Sequence, residues 1–230
     1  MSAERKLSSL IFDLDGTLID SAPSILSTFA AILDRAGIPP AVTLDRTIIG
    51  PPLRKTLALI AGSDDSKLLD RLAKDFMDHY DEVGVFETQC FEGIPALLDA
   101  LLATGVSLHL CTNKRLIPTR RIVDHLGWSR RFASTYALDM APGRFADKAA
   151  LIAGQITDLS LDPATTAYIG DTSADAAAST ANAIPFYYAA WGYGNVPREA
   201  TPPHWIRAEN PNELGLTLSR QLQQRADTAR

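Results

Sequence analysis

Asp13 and Asp15 stand two residues apart in the run Asp13-Leu14-Asp15-Gly16-Thr17, behind the apolar residues Leu7, Leu10, Ile11 and Phe12 and ahead of a glycine turn. Two carboxylates so placed can supply a nucleophile, an acid/base and a metal ligand within one short loop. The apolar run is short and bounded by a turn signal, which predicts a buried strand that delivers Asp13 to its C-terminal end. Open α/β sheets place their ligand sites at that end of their strands. Taken alone, the same residues also read as an Asp-Gly turn carrying one extra acid, so the rest of the chain has to decide.

After a predicted strand from Val106 to Cys111 come Thr112, Asn113 and Lys114, whose hydroxyl, amide and ammonium suit phosphate oxygens. In isolation Thr112-Asn113 reads equally well as the cap of the next helix. After a predicted strand from Ala167 to Ile169 come Gly170, Asp171, Thr172, Ser173, Ala174 and Asp175. Asp171 and Asp175 are four residues apart across a turn into a helix, so both can point back at the strand ends. Facing Asp13 and Asp15 there, they would repel strongly unless a cation sat among them. Mg2+ is the expected ion, because it takes carboxylate and water oxygens and pairs with phosphate. As an isolated motif the segment also fits an N-cap Asp171 with a solvated Asp175. Lys148 opens a further predicted helix. A lone lysine is usually a solvated surface charge, but at the edge of four carboxylates it would offset their charge and hold a phosphate beside the nucleophile.

The elements that must position these groups can be read from the hydrophobic spacing. From Ser24 to Ala36, Ile25, Leu26, Phe29, Ile32 and Leu33 recur at helical spacing, with Asp20 or Ser21 as cap and Gly37 as stop. Pro51 and Pro52 open a second helix that carries Leu53, Leu57 and Ile60 and closes at Gly62. A third runs from about Ser66 to Glu82, and residues 20–89 contain no convincing strand. From residue 90 onward the pattern becomes an alternation of short apolar strands and helices. The expected helices are Ile94 to Thr104, one ending near Gly127, Lys148 to Ile156, and Ser173 to Asn182; the expected strands include Ser134 to Leu138 and Pro185 to Tyr188. That alternation implies a doubly wound, Rossmann-like α/β fold, a parallel sheet reached by right-handed crossovers. The expected organisation is an α/β catalytic core of residues 1–19 and 90–230 with an α-helical cap of residues 20–89 inserted after the first strand. A cap leaving from the strand end that carries Asp13 can exclude water from a reaction there. Gly192 to Pro203 reads as a surface loop, and Gln221 to Arg230 as a fraying polar tail.

At 230 residues with 46% hydrophobic content the chain can bury a sizeable core. Its net charge of -5 and pI near 5.3 disfavour a nucleic-acid polymer as partner, since no overall positive field exists to release counterions. Cys90 and Cys111 cannot build a disulfide framework and suit a reducing compartment, so a cytoplasmic location is expected. No signal-peptide core precedes the first strand and no apolar run reaches membrane-spanning length, so no membrane partner is expected. Cys111 has no basic partner in the pattern, which argues against a cysteine phosphatase. His109, on a predicted strand, reads as a core residue.

In this order, the apolar run with Asp13-Leu14-Asp15-Gly16-Thr17-Leu18, the strand with Thr112-Asn113, the spaced Lys148, and Gly170-Asp171 with Asp175 resemble the motifs of the haloacid dehalogenase superfamily of hydrolases. Ile49-Gly50-Pro51-Pro52-Leu53 and Trp191-Gly192-Tyr193-Gly194 further resemble its phosphoglycolate-phosphatase-like branch. The resemblance implies that Asp13 attacks phosphorus to form an aspartyl-phosphate, and that Asp15 protonates the leaving alcohol and then deprotonates water. It implies that Mg2+ is held by the Asp13 carboxylate, the Asp15 carbonyl and Asp171, with Asp175 as a ligand or as an orienting group. Thr112, Asn113 and Lys148 would complete a phosphate cradle, Gly16 would allow the sharp turn, and Thr17 would orient Asp15 or the cap hinge. Dehalogenases of the superfamily lack an acid at the position of Asp15, which favours phosphoryl transfer. Arg54, beside Lys55 on the second helix, is the candidate contact to a second anionic group of the substrate, although solvated charges on an exposed face explain the pair as well. The expected partner is a small phosphorylated metabolite, phosphoglycolate first, and the expected state a monomer or homodimer. A 5'-nucleotidase, a phosphosugar mutase or a catalytically idle phospholigand-binding relative are the alternatives.

Overall fold

A computed structural model describes residues 6–49 and 53–223. The Gly50-Pro51-Pro52 turn and most of the polar tail therefore lie outside the described residues. In chain order the elements are β1 (Ser9–Phe12), β2 (Ile19–Asp20), α1 (Ala22–Ala36), α2 (Leu53–Ala61), α3 (Ser66–His79), α4 (Val85–Glu87) and β3 (Gln89–Cys90). There follow α5 (Ile94–Ala103), β4 (Ser107–Thr112), α6 (Leu116–His125), β5 (Ser134–Ala137), α7 (Lys148–Asp158), β6 (Thr166–Gly170), α8 (Ser173–Ala181), β7 (Phe186–Ala189), β8 (Ile206–Ala208) and α9 (Pro211–Gln223).

Six strands form one parallel sheet in the order β5-β4-β1-β6-β7-β8. β1 is central, and all four of its residues are buried, because an apolar run without alternation fits only a strand covered on both faces. Phe12 pairs in register with Leu110 of β4 and Ile169 of β6, so three strands end side by side at the same edge. The chain order reverses between β1 and β6, which makes that edge a topological switch point. On one face Ile11, Cys111, Tyr168, Leu151, Ile152 and Ala176 pack as a continuous core, so α7 and α8 are anchored against the strands whose ends they flank. His109 is a core residue as expected: it is buried, and its Nδ1 lies 2.9 Å from Ser134 Oγ.

The chain divides into two compact units, residues 1–20 with 90–230 and residues 21–89. Within the second, α1 ends where Gly37 adopts φ +69° and its N–H bonds the Asp34 carbonyl. Phe29, Phe76 and Tyr80 stack in series, with ring centroids 4.7 and 5.6 Å apart. The helix expected to end near Glu82 instead passes at Tyr80–Gly84 through a π-helical turn into α4. Gly84 permits this, since a Cβ there would lie 2.6 Å from the Tyr80 ring.

Two differences concern the other unit. β8 and α9 extend the fold beyond the elements expected from the sequence. β8 is a short edge strand with Arg207 at its centre, too brief to show a period, whereas Leu214, Leu218 and Leu222 of α9 do recur at helical spacing and are buried. The stretch expected as a surface loop from Gly192 is anchored instead: Gly192 and Gly194 approach Asp171 closely, as described next.

Candidate active site

β1, between β4 and β6, delivers Asp13 to the sheet edge, where its N–H bonds the Ile169 carbonyl at 2.9 Å. Lys148 comes from α7, whose start is fixed by Asp147 accepting from the Ala150 N–H. Its Nζ lies 2.7 Å from Asp13 Oδ1 and 2.6 Å from Asp175 Oδ1, so one ammonium joins β1 to α8. Asp175 is also the reciprocal half of a capping box. Thr172, not Asp171, is the N-cap of α8; its hydroxyl accepts from the Asp175 N–H, and its own N–H donates to Asp175 Oδ2. Both oxygens of Asp175 are thus held by donors of the chain.

Asp171 is fully buried and clasped from two sides: Thr17 Oγ1 donates to Oδ1 at 3.1 Å and the Tyr193 N–H donates to Oδ2 at 2.7 Å. Thr17 therefore orients Asp171, where Asp15 or the cap hinge had been its expected target. Trp191 Nε1 donates to the Thr17 carbonyl at 3.0 Å, tying the segment after β7 to the turn after β1. Glycine makes this approach possible. Gly16 adopts φ +84°, and a Cβ on it would lie 2.3 Å from Asp171 Oδ2. A Cβ on Gly194 would lie 1.7 Å from the Asp171 carbonyl oxygen.

Asp13, Asp171 and Asp175, all buried, each place a carboxylate oxygen within 4.8 Å of the others. Burial pushes the Asp13 carboxyl well above the usual carboxylate range; Lys148 pulls it down, and the charges of Asp175 and Asp171 push it back up. Asp171 is pushed up to about 6, by burial and then by the charge of Asp175, against the pull of its two hydrogen bonds and Lys148. Burial opposes the charge on Lys148, yet Asp13 and Asp175 outweigh it and hold the ammonium above its ordinary range. One lysine thus leaves three clustered carboxylates under-compensated. All-oxygen donors at this spacing fit a hard divalent cation. Among the described residues, Lys148 is the only side chain bonded to the Asp13 carboxylate, and it bonds Oδ1, which leaves Oδ2 for a ligand or a reacting atom. Cys111 is buried and its thiol is pushed up by that burial, so no thiolate nucleophile is present here.

Asp15 stands beside this group, with its Oδ1 3.0 Å from Lys114 Nζ. The Lys114 side chain is only 8% exposed, which sets it apart from an ordinary surface lysine. Thr112, the last residue of β4, is buried and its hydroxyl accepts from the Lys114 N–H, while Asn113 is exposed in the following turn. The core unit thus brings together Asp13, Asp15, Gly16, Thr17, Thr112, Asn113, Lys148, Asp171 and Asp175. Arg54 belongs to the helical unit, where it bonds Asp70 and Ser66 Oγ. Lys114, expected beside phosphate oxygens, pairs with Asp15, and Trp191 and Tyr193 join the site although the sequence gives neither a role in it. Trp191-Gly192-Tyr193-Gly194 carried a signal in its paired glycines, which flank an aromatic residue where backbone must pass close to other backbone.

The family model described as "Haloacid dehalogenase-like hydrolase" matches residues 10–189. A phosphoglycolate phosphatase of Xylella fastidiosa (strain 9a5c) is 31% identical over 92% of this chain and 91% of its own. An N-acetylmuramic acid 6-phosphate phosphatase of Pseudomonas aeruginosa is 29% identical over 94% of this chain and 97% of its own. The solved structure of protein tyrosine kinase A from Mycobacterium tuberculosis is 30% identical and superposes with a TM-score of 0.77, covering 93% of this chain and 99% of that one.

Proposed function

Since the chain belongs to the haloacid dehalogenase-like hydrolase family, in its phosphoglycolate-phosphatase-like branch, we propose that it is a Mg2+-dependent phosphatase of small phosphorylated metabolites that works through an aspartyl-phosphate on Asp13. The observation that carries this reading is the arrangement around Asp13: a buried carboxylate, neutralised on Oδ1 by Lys148, with the carboxylates of Asp171 and Asp175 beside it and Asp15 two residues on.

In the first half-reaction Asp13 attacks phosphorus and the bond from phosphorus to the ester oxygen breaks, with Asp15 giving its proton to the departing alcohol. In the second, Asp15 takes a proton from water, whose oxygen attacks the aspartyl-phosphate at phosphorus and regenerates Asp13 with release of phosphate. Each half-reaction resets the proton of Asp15, so one carboxyl serves both. Lys114 holds Asp15, and Lys148 offsets negative charge beside the incoming phosphate. Thr112, Asn113 and the turn at Gly16 contribute to the phosphate cradle. A bound Mg2+, held by Asp13, the Asp15 carbonyl and Asp171 with Asp175 behind them, would neutralise the charges of nucleophile and phosphate that otherwise keep them apart.

Phosphoglycolate is the first candidate substrate. The two phosphatase relatives above are named for substrates that each carry an acid group besides the phosphate. Arg54 would meet that group by exchanging its exposed partner Asp70, and exposed pairs of this kind contribute little. A panel of phosphoglycolate, sugar phosphates, nucleoside monophosphates and an aryl phosphate, assayed with Mg2+ and with chelator, tests the proposal. Phosphate release that requires Mg2+ and is fastest with phosphoglycolate is expected. No release from any substrate would identify a phospholigand-binding relative, interconversion of sugar phosphates without release a mutase, and release undiminished by chelator would overturn the metal assignment.

A further inference from the structure

Tyr193 is hydrogen-bonded at its opposite ends to two acids, neither of which is proposed to react. Its backbone N–H donates to Asp171 Oδ2 at 2.7 Å, and its hydroxyl donates to Asp20 Oδ1 at 3.0 Å. Asp20 is the last residue of β2 and of the sheet unit before the chain enters the helical unit. The segment between these contacts has little freedom. Trp191 Nε1 is bonded to the Thr17 carbonyl, and Gly192 and Gly194 bring its backbone against Gly16 and Asp171 so closely that a Cβ on either would collide. Thr17, whose carbonyl Trp191 holds, donates its own hydroxyl to the other oxygen of Asp171. Both oxygens of this buried carboxylate are therefore aimed by groups whose positions depend on the docking of residues 191–194 against 16–20.

We propose that Tyr193 is a positioning residue for the metal centre: the hydroxyl bond to Asp20 fixes the residue whose N–H aims Asp171, so the chain at Asp20 and the carboxylate at the ion are mechanically linked. This rests on Asp171 being a Mg2+ ligand, as proposed above. Groups that orient a metal-bound carboxylate commonly set its affinity by about 10- to 100-fold. Tyr193 lies one bond further out on its hydroxyl side, so a smaller effect is expected.

The test measures Mg2+ binding to the full chain by titration calorimetry, without substrate, together with the thermal midpoint of each variant. Tyr193→Phe keeps the N–H that reaches Asp171 and removes only the hydroxyl. It is expected to weaken Mg2+ binding by about 3- to 10-fold. Asp20→Ala should weaken it to a similar extent, and combining the two should add nothing further, because both remove one link. Asp20→Asn keeps an acceptor oxygen and should restore binding close to wild type. Mg2+ affinity unchanged in Tyr193→Phe, or additive losses in the double variant, would overturn the proposal, as would a fall in thermal midpoint with wild-type Mg2+ affinity, which marks a merely structural bond. If the wild-type chain itself binds no Mg2+, or Asp171→Asn binds it as well as wild type, the metal assignment has failed rather than the link.

Discussion

Lys148 Nζ lies 2.7 Å from Asp13 Oδ1, and the two side chains are only 10% and 8% exposed. An ion pair this dry is costly to form and more costly to break, because removing one partner leaves the other charged and without water. Lys148→Met should lower the stability of the metal-free protein by about 3–5 kcal/mol and reduce turnover by at least about 100-fold. Mg2+ should recover part of the stability and little of the activity. Chemical denaturation with and without Mg2+ checks this; a variant as stable as wild type in chelator would show that the pair contributes nothing.

Gly194→Ala tests the close approach at Asp171. The added Cβ would fall 1.7 Å from the Asp171 carbonyl oxygen, which is backbone and cannot swing aside. The expected result is destabilisation of at least about 2 kcal/mol together with weaker Mg2+ binding. An ordinary surface loop would instead tolerate alanine within about 0.5 kcal/mol.

Burial and the charge of Asp175 raise the Asp171 carboxyl from 3.8 to about 6, and this fixes the sign of a pH effect. Between those values the unfolded chain has released the proton that the metal-free folded chain still holds. Raising the pH through this window therefore favours the unfolded state, by on the order of 3 kcal/mol once complete. Saturating Mg2+ favours the ionised carboxylate and should flatten or reverse the trend. The thermal midpoint should consequently rise more on Mg2+ addition at about pH 7.5 than at about pH 5, and Asp171→Asn should shrink the difference, leaving the part due to the raised carboxyl of Asp13. Equal Mg2+ shifts at both pH values would contradict this account.

Much of this site is legible in the sequence because strand ends are. Short, largely apolar runs at Leu10–Phe12, Leu108–Cys111 (broken only by His109) and Ala167–Ile169 read as buried strands, and each is followed within two residues by a polar group, so placing the strands in one sheet places Asp13, Thr112 and Asp171 at one edge. Contacts between loops are less legible. Tyr193 reaches Asp171 and Trp191 reaches Thr17 only because glycines remove the side chains that would hold the backbones apart, and no periodicity encodes such docking. Thr172 took the capping role that Asp171 also suited, since its hydroxyl and Asp175 satisfy each other's N–H, and this freed Asp171 for the cluster. At Arg54 the sequence could show a basic residue on a helix but not the acidic partner it finds in Asp70 on α3.

The role of Asp13 as nucleophile is tested most directly by mass spectrometry of enzyme quenched in acid during turnover of phosphoglycolate with Mg2+. A phosphoryl group on the peptide that carries Asp13, absent in Asp13→Asn along with phosphate release, is the predicted result. A phosphoryl group on any other residue, or phosphate release by Asp13→Asn at the wild-type rate, would contradict it.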